Sequence, residues 1–390
     1  MSFRELMEKY RDGSATPEER ELFERELEKY EALSEYAAER EDGELPIPAG
    51  EAEETGRVSR AVRRRFRRAA LLAAVLVLAV LAAVFGGLRL YEASCYDPNR
   101  GVEEKYGGDG QFMLDTTVCT ELFSPGFITS YASAERTGPA SYQVSVRQQN
   151  LFFGEAETFT GLVSGGAFAD WDMVDRCFFR QPVVNALQWK LGNFAWQDTD
   201  GEISFVPPDD LQKQQEQELR ELPESARVLT YFTFREDMPL GEFESVYREI
   251  TQQEKSTILY VAVRGGDGQH SVMGFEPTGT GIVLGDRYDE ERYPALELSN
   301  HENPQSAEAW ETHFTSMLSY LADREEFLSA LHHNLNATEL SYTLSYVEEN
   351  GMQVYGFLMQ SRPQDVLAVL EREEIQTMYV ENARLSPLSH

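Results

Sequence analysis

Residues 57–88 read RVSRAVRRRFRRAALLAAVLVLAVLAAVFGGL. Seven arginines (Arg57, Arg60, Arg63, Arg64, Arg65, Arg67 and Arg68) are followed by twenty residues, Ala69 to Leu88, that carry no charge. A helix of twenty residues is roughly 30 Å long, the thickness of a bilayer's hydrocarbon core. The run therefore predicts one transmembrane helix over 69–90. It has no polar face, which sets it apart from the helix of a small soluble core. It is also longer and further from the N-terminus than the apolar stretch of a cleaved secretory signal.

Basic residues beside a spanning helix stay on the cytoplasmic side. Only Arg89, Arg100 and Lys105 are basic between 89 and 108. The asymmetry predicts residues 1–68 in the cytoplasm and the long C-terminal part outside.

The 390-residue chain has a formal charge of −32. Away from the arginine cluster both soluble parts are acidic, and direct nucleic-acid binding needs clustered cations away from a membrane anchor. The arginines themselves suit anionic lipid headgroups. The three cysteines (Cys95, Cys119 and Cys177) all fall on the expected outer side, where at most one internal disulfide is possible and its pairing is open. No His/Cys spacing suggests a zinc site, and no cofactor is implied.

N-terminal to the arginines, Phe3, Leu6, Met7 and Tyr10 share one face of a short helix. In RDGSATPEER, Gly13 ends that helix, Thr16 is an N-cap, Pro17 fits the first helical position and Glu19 completes a capping box. A second helix is expected from Pro17 to about Glu39, with Phe23, Leu27, Tyr30 and Leu33 on its apolar side. Two helices in about forty residues bury little surface alone, so residues 1–40 are read as a hairpin that docks into a partner's groove, the alternative being that the two helices pack only on each other. Residues 41–68 are an acidic tether and basic juxtamembrane segment, with Glu39 to Ser59 expected to be flexible.

The hairpin ELMEKYRDGSATPEERELFERELEKYEALSEY, the basic stretch and the single spanning helix together resemble membrane-bound anti-sigma factors of the sigma factor regulator family. Three outer stretches are similar to the outer halves of that family. They are MLDTTVCTELFSPGF, then YFTFREDMPLGEFESVY with ILYVAVRGGDGQHSVMGFEP, and finally NGMQVYGFLMQSRPQDVLAVLEREEIQTMYV. The resemblance implies a cytoplasmic segment that holds an extracytoplasmic-function sigma factor, and an outer domain that influences its release in response to an unidentified ligand or protein. The hairpin lacks the His/Cys set of zinc anti-sigma proteins, so its contact with a sigma factor would be zinc-free.

The expected fold class is α+β. Residues 91–208 alternate apolar and polar positions in short runs such as SYQVSVRQQ and ETFTGLV, which favours strands and turns over helices from Gln111 to about Phe205. Residues 209–225 are a polar linker or solvated helix. Residues 226–390 form an α/β part: strand 227–234, a helix with Leu240, Phe243, Val246, Tyr247 and Ile250 on one face, and strand 257–263. The order repeats as strand 352–360, a helix opened by Ser361 and Pro363, and strand 375–383. Two such units suit one mixed sheet of ferredoxin-like type.

Catalytic patterns are missing. GGDGQ at 107–111 and 265–269 reads as tight turns. His332 and His333 diverge on a helix, His301-Glu302 lacks a second zinc-peptidase histidine, and Ser164 is not in a nucleophile elbow. Asn336-Ala337-Thr338 reads as a helix start. The chain is thus expected not to be an enzyme. The alternative is a membrane-anchored outer-surface binding or envelope assembly protein with no sigma partner.

Overall fold

The computed structural model describes Thr16, Pro17, Glu21, Leu22, Glu24, Arg25, Leu27 to Lys29, Glu31, Ala32 and Glu35. It then describes residues 51–100, 110–180, 185–193, 196–197, 203–204, 209–252, 256–279, 288–333 and 335–385. Contacts divide the chain into two units, Met1–Val84 and Phe85–His390.

In the first unit Thr16 is non-helical, while Pro17 and the described positions after it as far as Glu35 are helical. Helix α1 runs Glu51–Ala93, 43 residues. The expectation of a flexible tether up to Ser59 is corrected from Glu51 onward. No proline lies between Pro48 and Pro98, and Glu51, Glu53 and Glu54 suit the positive end of a helix dipole, so the helix starts well before the arginines. Among the described residues, Arg64–Ala93 is the stretch long and apolar enough to cross a membrane, and its large apolar side chains are exposed.

The second unit opens with α2 (Gln111–Phe123) and a four-stranded antiparallel meander: β1 (Phe127–Gly138), β2 (Ser141–Asn150), β3 (Ala156–Ser164) and β4 (Ala167–Phe168). The two quoted alternating runs are β2 and most of β3. Helix α2 corrects the expectation of strands from Gln111. Every residue from Phe112 to Phe123 is buried, so the helix has no polar stripe from which a 3.6-residue period could be read. It packs on β1, where Thr120 Oγ1 and Thr129 Oγ1 lie 2.8 Å apart. Two short helices follow, α3 (Trp171–Phe178), capped by Asp170, and α4 (Ala186–Lys190), capped by Asn185. The brief pair β5 (Trp196–Gln197) and β6 (Ile203–Ser204) completes this part.

The polar segment after it is a helix, α5 (Asp209–Glu221), and its Leu219 and Gln215 turn inward. Beyond it come β7 (Ala226–Pro239), α6 (Leu240–Thr251), β8 (Thr257–Val263), β9 (Gly274–Phe275), α7 (Ala307–Ala322), α8 (Glu325–Leu331), α9 (Ala337–Asn350), β10 (Gln353–Ser361), α10 (Pro363–Leu370) and β11 (Ile375–Leu385). Asn336 is the cap of α9, accepting from the Glu339 N–H at 3.0 Å. The five apolar residues expected on one face of α6 are all buried.

The second sheet has the order β11-β7-β10-β8-β9, and every neighbouring pair is antiparallel. The ferredoxin-like order is present, but the sheet is not mixed. Each strand-helix-strand unit places its two strands parallel to one another and leaves a gap between them, which a strand of the other unit fills in the opposite direction. Along β7, Val228, Phe232 and Phe234 enter one apolar cluster while Leu229 and Tyr231 enter a second with Trp189 and Leu187 of α4. Burial on both faces explains why VLTYFTF and TILYVAV are almost unbroken apolar runs. The first cluster also takes in α2, β2 and α3, so one core joins both sheets.

Edge strand β11 is met by α5. The Gln215 Oε1 accepts from the Val380 N–H at 3.2 Å, and the Thr377 hydroxyl donates to Gln212 Oε1 at 3.3 Å.

Candidate functional site

Of the residues expected to dock a partner, Leu27 is described: it is helical and 42 % exposed, with Leu22 at 39 % beside it. Phe3, Leu6, Met7, Tyr10, Phe23, Tyr30 and Leu33 lie outside the described residues. Arg57, Arg60 and Arg63 are on the α1 backbone, and Arg64, Arg65, Arg67 and Arg68 project from it exposed. An apolar helix preceded by exposed arginines anchors the chain in a membrane.

The chain leaving α1 is built into the second unit at once. Cys95 and Tyr96 are buried, and Arg100 reaches back to donate to the Ala93 carbonyl at 3.3 Å, satisfying an acceptor that the helix end leaves open. The same guanidinium contacts both oxygens of Glu326 at 2.7 Å. Glu92 pairs with Arg136 of β1, and Asn99 Nδ2 donates to the Ala134 carbonyl at 3.2 Å. Gly166 has φ +85°, and a Cβ there would meet the Tyr96 nitrogen at 3.1 Å, so the β3–β4 turn closes against this segment only as glycine.

Asp115 is the centre of the junction. Wholly buried on α2, it accepts from the Tyr96 hydroxyl at 3.0 Å, the Tyr320 hydroxyl at 2.8 Å, and Arg324 Nε and Nη2 at 2.8 and 3.1 Å. Burial, reinforced by the Asp115 carboxylate, pushes the Tyr96 and Tyr320 phenols well above their ordinary value, so both stay donors. Burial works against the Arg324 charge, but its bonds to Asp115 outweigh that and hold it protonated. One carboxylate thus ties the residue three positions beyond α1 to both ends of the α7–α8 turn. None of these four residues was singled out in the sequence. The available signal was a lone carboxylate inside FMLDTTVC, which demands a buried partner.

Six residues further along α2, Glu121 faces His313 of α7, with Nε2 and Oε1 2.9 Å apart and both groups buried. On the far side of α9, the loop Gly265–Ser271 is a turn, as GGDGQ suggests; the Gly107–Asp109 part of the other copy lies outside the described residues. The turn is braced by Gln269, whose Oε1 accepts from the Gly265 N–H at 2.8 Å. Between it and α9 lies a cavity of about 160 Å³, with Met273, Leu335, Leu340 and Thr343 buried in its lining and Asp267, Glu339 and Tyr342 exposed. Cys95, Cys119 and Cys177 are buried and unbridged. Among the described residues no group of three or more His, Cys, Asp or Glu is placed to hold a metal ion.

The model of the sigma factor regulator C-terminal domain matches residues 219–382, from the end of α5 to β11, which is the whole ferredoxin-like part. No curated protein and no solved structure matches the chain. The chain thus carries a sigma factor regulator C-terminal domain together with one helix long and apolar enough to span a membrane, and that domain gives it a role in sigma factor regulation.

Proposed function

We propose that this membrane-anchored regulator is an anti-sigma factor that sequesters an extracytoplasmic-function sigma factor through its N-terminal helices and releases it in response to an extracytoplasmic signal. The observation that carries this is the sigma factor regulator domain at 219–382, in one chain with a spanning helix and an N-terminal helix that leaves Leu22 and Leu27 exposed. Residues 1–40 would be the docking element, with Phe3, Leu6, Met7, Tyr10, Phe23, Leu27, Tyr30 and Leu33 as its contact face. The arginines from Arg57 to Arg68 would hold that element on the cytoplasmic side among anionic lipids, leaving residues 91–390 outside.

A lone helix has no second packed state to switch to. Release therefore needs dimerisation, a change in the tie between α1 and the outer unit, or proteolysis near the membrane. Purification of the full-length chain from native membranes tests the proposal. A sigma factor is expected in the wild-type eluate and absent from that of Phe23→Ala/Leu27→Ala. Wild-type eluate without any sigma factor would overturn sequestration and favour an envelope role.

A further inference from the structure

Helix α2 is pinned to α7 and its C-terminal turn at two polar points that differ in the protons they hold. At the first, Asp115 meets Arg324, whose guanidinium keeps its charge at any physiological pH. At the second, Glu121, His313 and Glu276 come together, 5 %, 2 % and 5 % exposed. The Glu121 Oε1 lies 2.9 Å from His313 Nε2 and also accepts from the Glu276 backbone N–H at 3.2 Å. His313 Nδ1 is 2.7 Å from the Ala295 carbonyl, which only accepts, so Nδ1 carries a hydrogen. A further proton must then lie between Nε2 and Glu121. Burial opposes a charged imidazole, but Glu121 and the Ala295 carbonyl outweigh it and raise the His313 value.

Glu276 follows directly on β9. Its Oε1 accepts from the Thr278 N–H at 3.1 Å and the Thr278 hydroxyl at 2.5 Å, while its buried Oε2 has no hydrogen-bond partner among the described residues. Among the described residues the titratable groups that face this cluster are Glu121 from α2, Tyr247 from α6, Tyr260 from β8 and His313 from α7. None of them is a lysine or arginine. Burial lifts the Glu276 carboxyl, Thr278 opposes the rise and Glu121 adds to it, which brings the group to about 8. Next to it the Trp310 indole N–H donates to the Pro277 carbonyl at 2.9 Å.

We propose that Glu121, His313 and Glu276 form a proton-dependent latch, which holds α2 against β9 and α7 while Glu276 is neutral and loosens when Glu276 loses its proton in mildly alkaline surroundings. Ionised Glu276 adds a negative charge beside the Glu121–His313 pair, where among the described residues no lysine or arginine compensates it. Moving residues 276–279 outward hydrates that charge, and it breaks the Glu276-to-Glu121 and Trp310-to-Pro277 bonds. The Asp115–Arg324 point does not respond, so α2 would pivot about the end nearer the membrane helix. The latch concerns the outer unit alone and is independent of what the N-terminal helices bind.

Hydrogen exchange by mass spectrometry on the full-length chain in detergent, corrected for the intrinsic pH dependence of exchange, tests it. Protection in 112–123 and 274–279 should fall at least ten-fold between pH 6.5 and 9. Glu276→Gln, which has the same shape and no ionisation, should remove that fall. Thr278→Val, which deletes a donor to the carboxylate, should move the midpoint upward. Wild-type protection unchanged to pH 9, an identical fall in Glu276→Gln, or an unmoved midpoint in Thr278→Val would overturn the latch. Should Glu276→Gln fail to fold, carbon-13 carboxyl NMR of the wild type decides: a glutamate titrating above pH 7 supports the latch, and none doing so overturns it.

Discussion

Arg324 grips Asp115 through two nitrogens, Nε to Oδ1 at 2.8 Å and Nη2 to Oδ2 at 3.1 Å, across 209 residues of sequence. Asp115 is fully buried and Arg324 mostly so. Removing one partner leaves the other uncompensated, so Asp115→Ala should destabilise the second unit by about 3–5 kcal/mol. Asp115→Asn/Arg324→Met should cost less than the sum of the single changes. Urea denaturation of the three variants measures the coupling.

Two glycines give opposite expectations for the same substitution. A Cβ at Gly356, in the central strand β10, would sit 2.4 Å from the Phe232 carbonyl oxygen, which is backbone and has no room to move. Gly356→Ala should cost about 3 kcal/mol or more. Gly241, in the first turn of α6, has nothing within 4 Å of that position, and Gly241→Ala should be neutral or gain up to about 1 kcal/mol. Thermal melts of both variants separate the cases.

Thiol chemistry should be silent until the second unit opens. Burial pushes the Cys119 and Cys177 thiols well above their ordinary value, and Cys95 is 6 % exposed. Thiolate is the reacting form. Maleimide at pH 7.5 should label none of the three within minutes in the native protein and all three in denaturant, with mass spectrometry as the readout.

Stability should decline with rising pH from the Glu276 and His313 cluster. Glu276 ionises near 4.5 when unfolded and near 8 when folded, so between those values the unfolded chain holds fewer protons and stability falls as pH rises. Above about 8 the contribution is flat. The raised His313 value acts in the same direction. Tm should drop by roughly 5 °C or more between pH 5 and 8, and Glu276→Gln should flatten most of that slope.

What the chain declares locally, it declares well. The spanning helix follows from twenty uncharged residues after seven arginines, and α6 from five apolar residues at helical spacing. The interleaved order of β7, β8, β10 and β11 follows from two repeats of one short unit. Helix α2 was illegible because it is buried all round and so has no period. The site around it was illegible because Asp115 and Glu121 are completed by Arg324 and His313, which are brought near only by the packing of α7 on α2. The docking face was proposed from spacing alone, and Leu27 is the member of it that the structure describes.

The Gln215 amide on the Val380 N–H has a consequence for a protein confined to a plane. Long edge strands such as β11 recruit further strands, and molecules tethered in one membrane meet at high effective concentration in similar orientations. By occupying a backbone donor on that edge with its own helix, the chain withholds a template for strand-to-strand polymerisation, so crowding at the surface need not turn into aggregation.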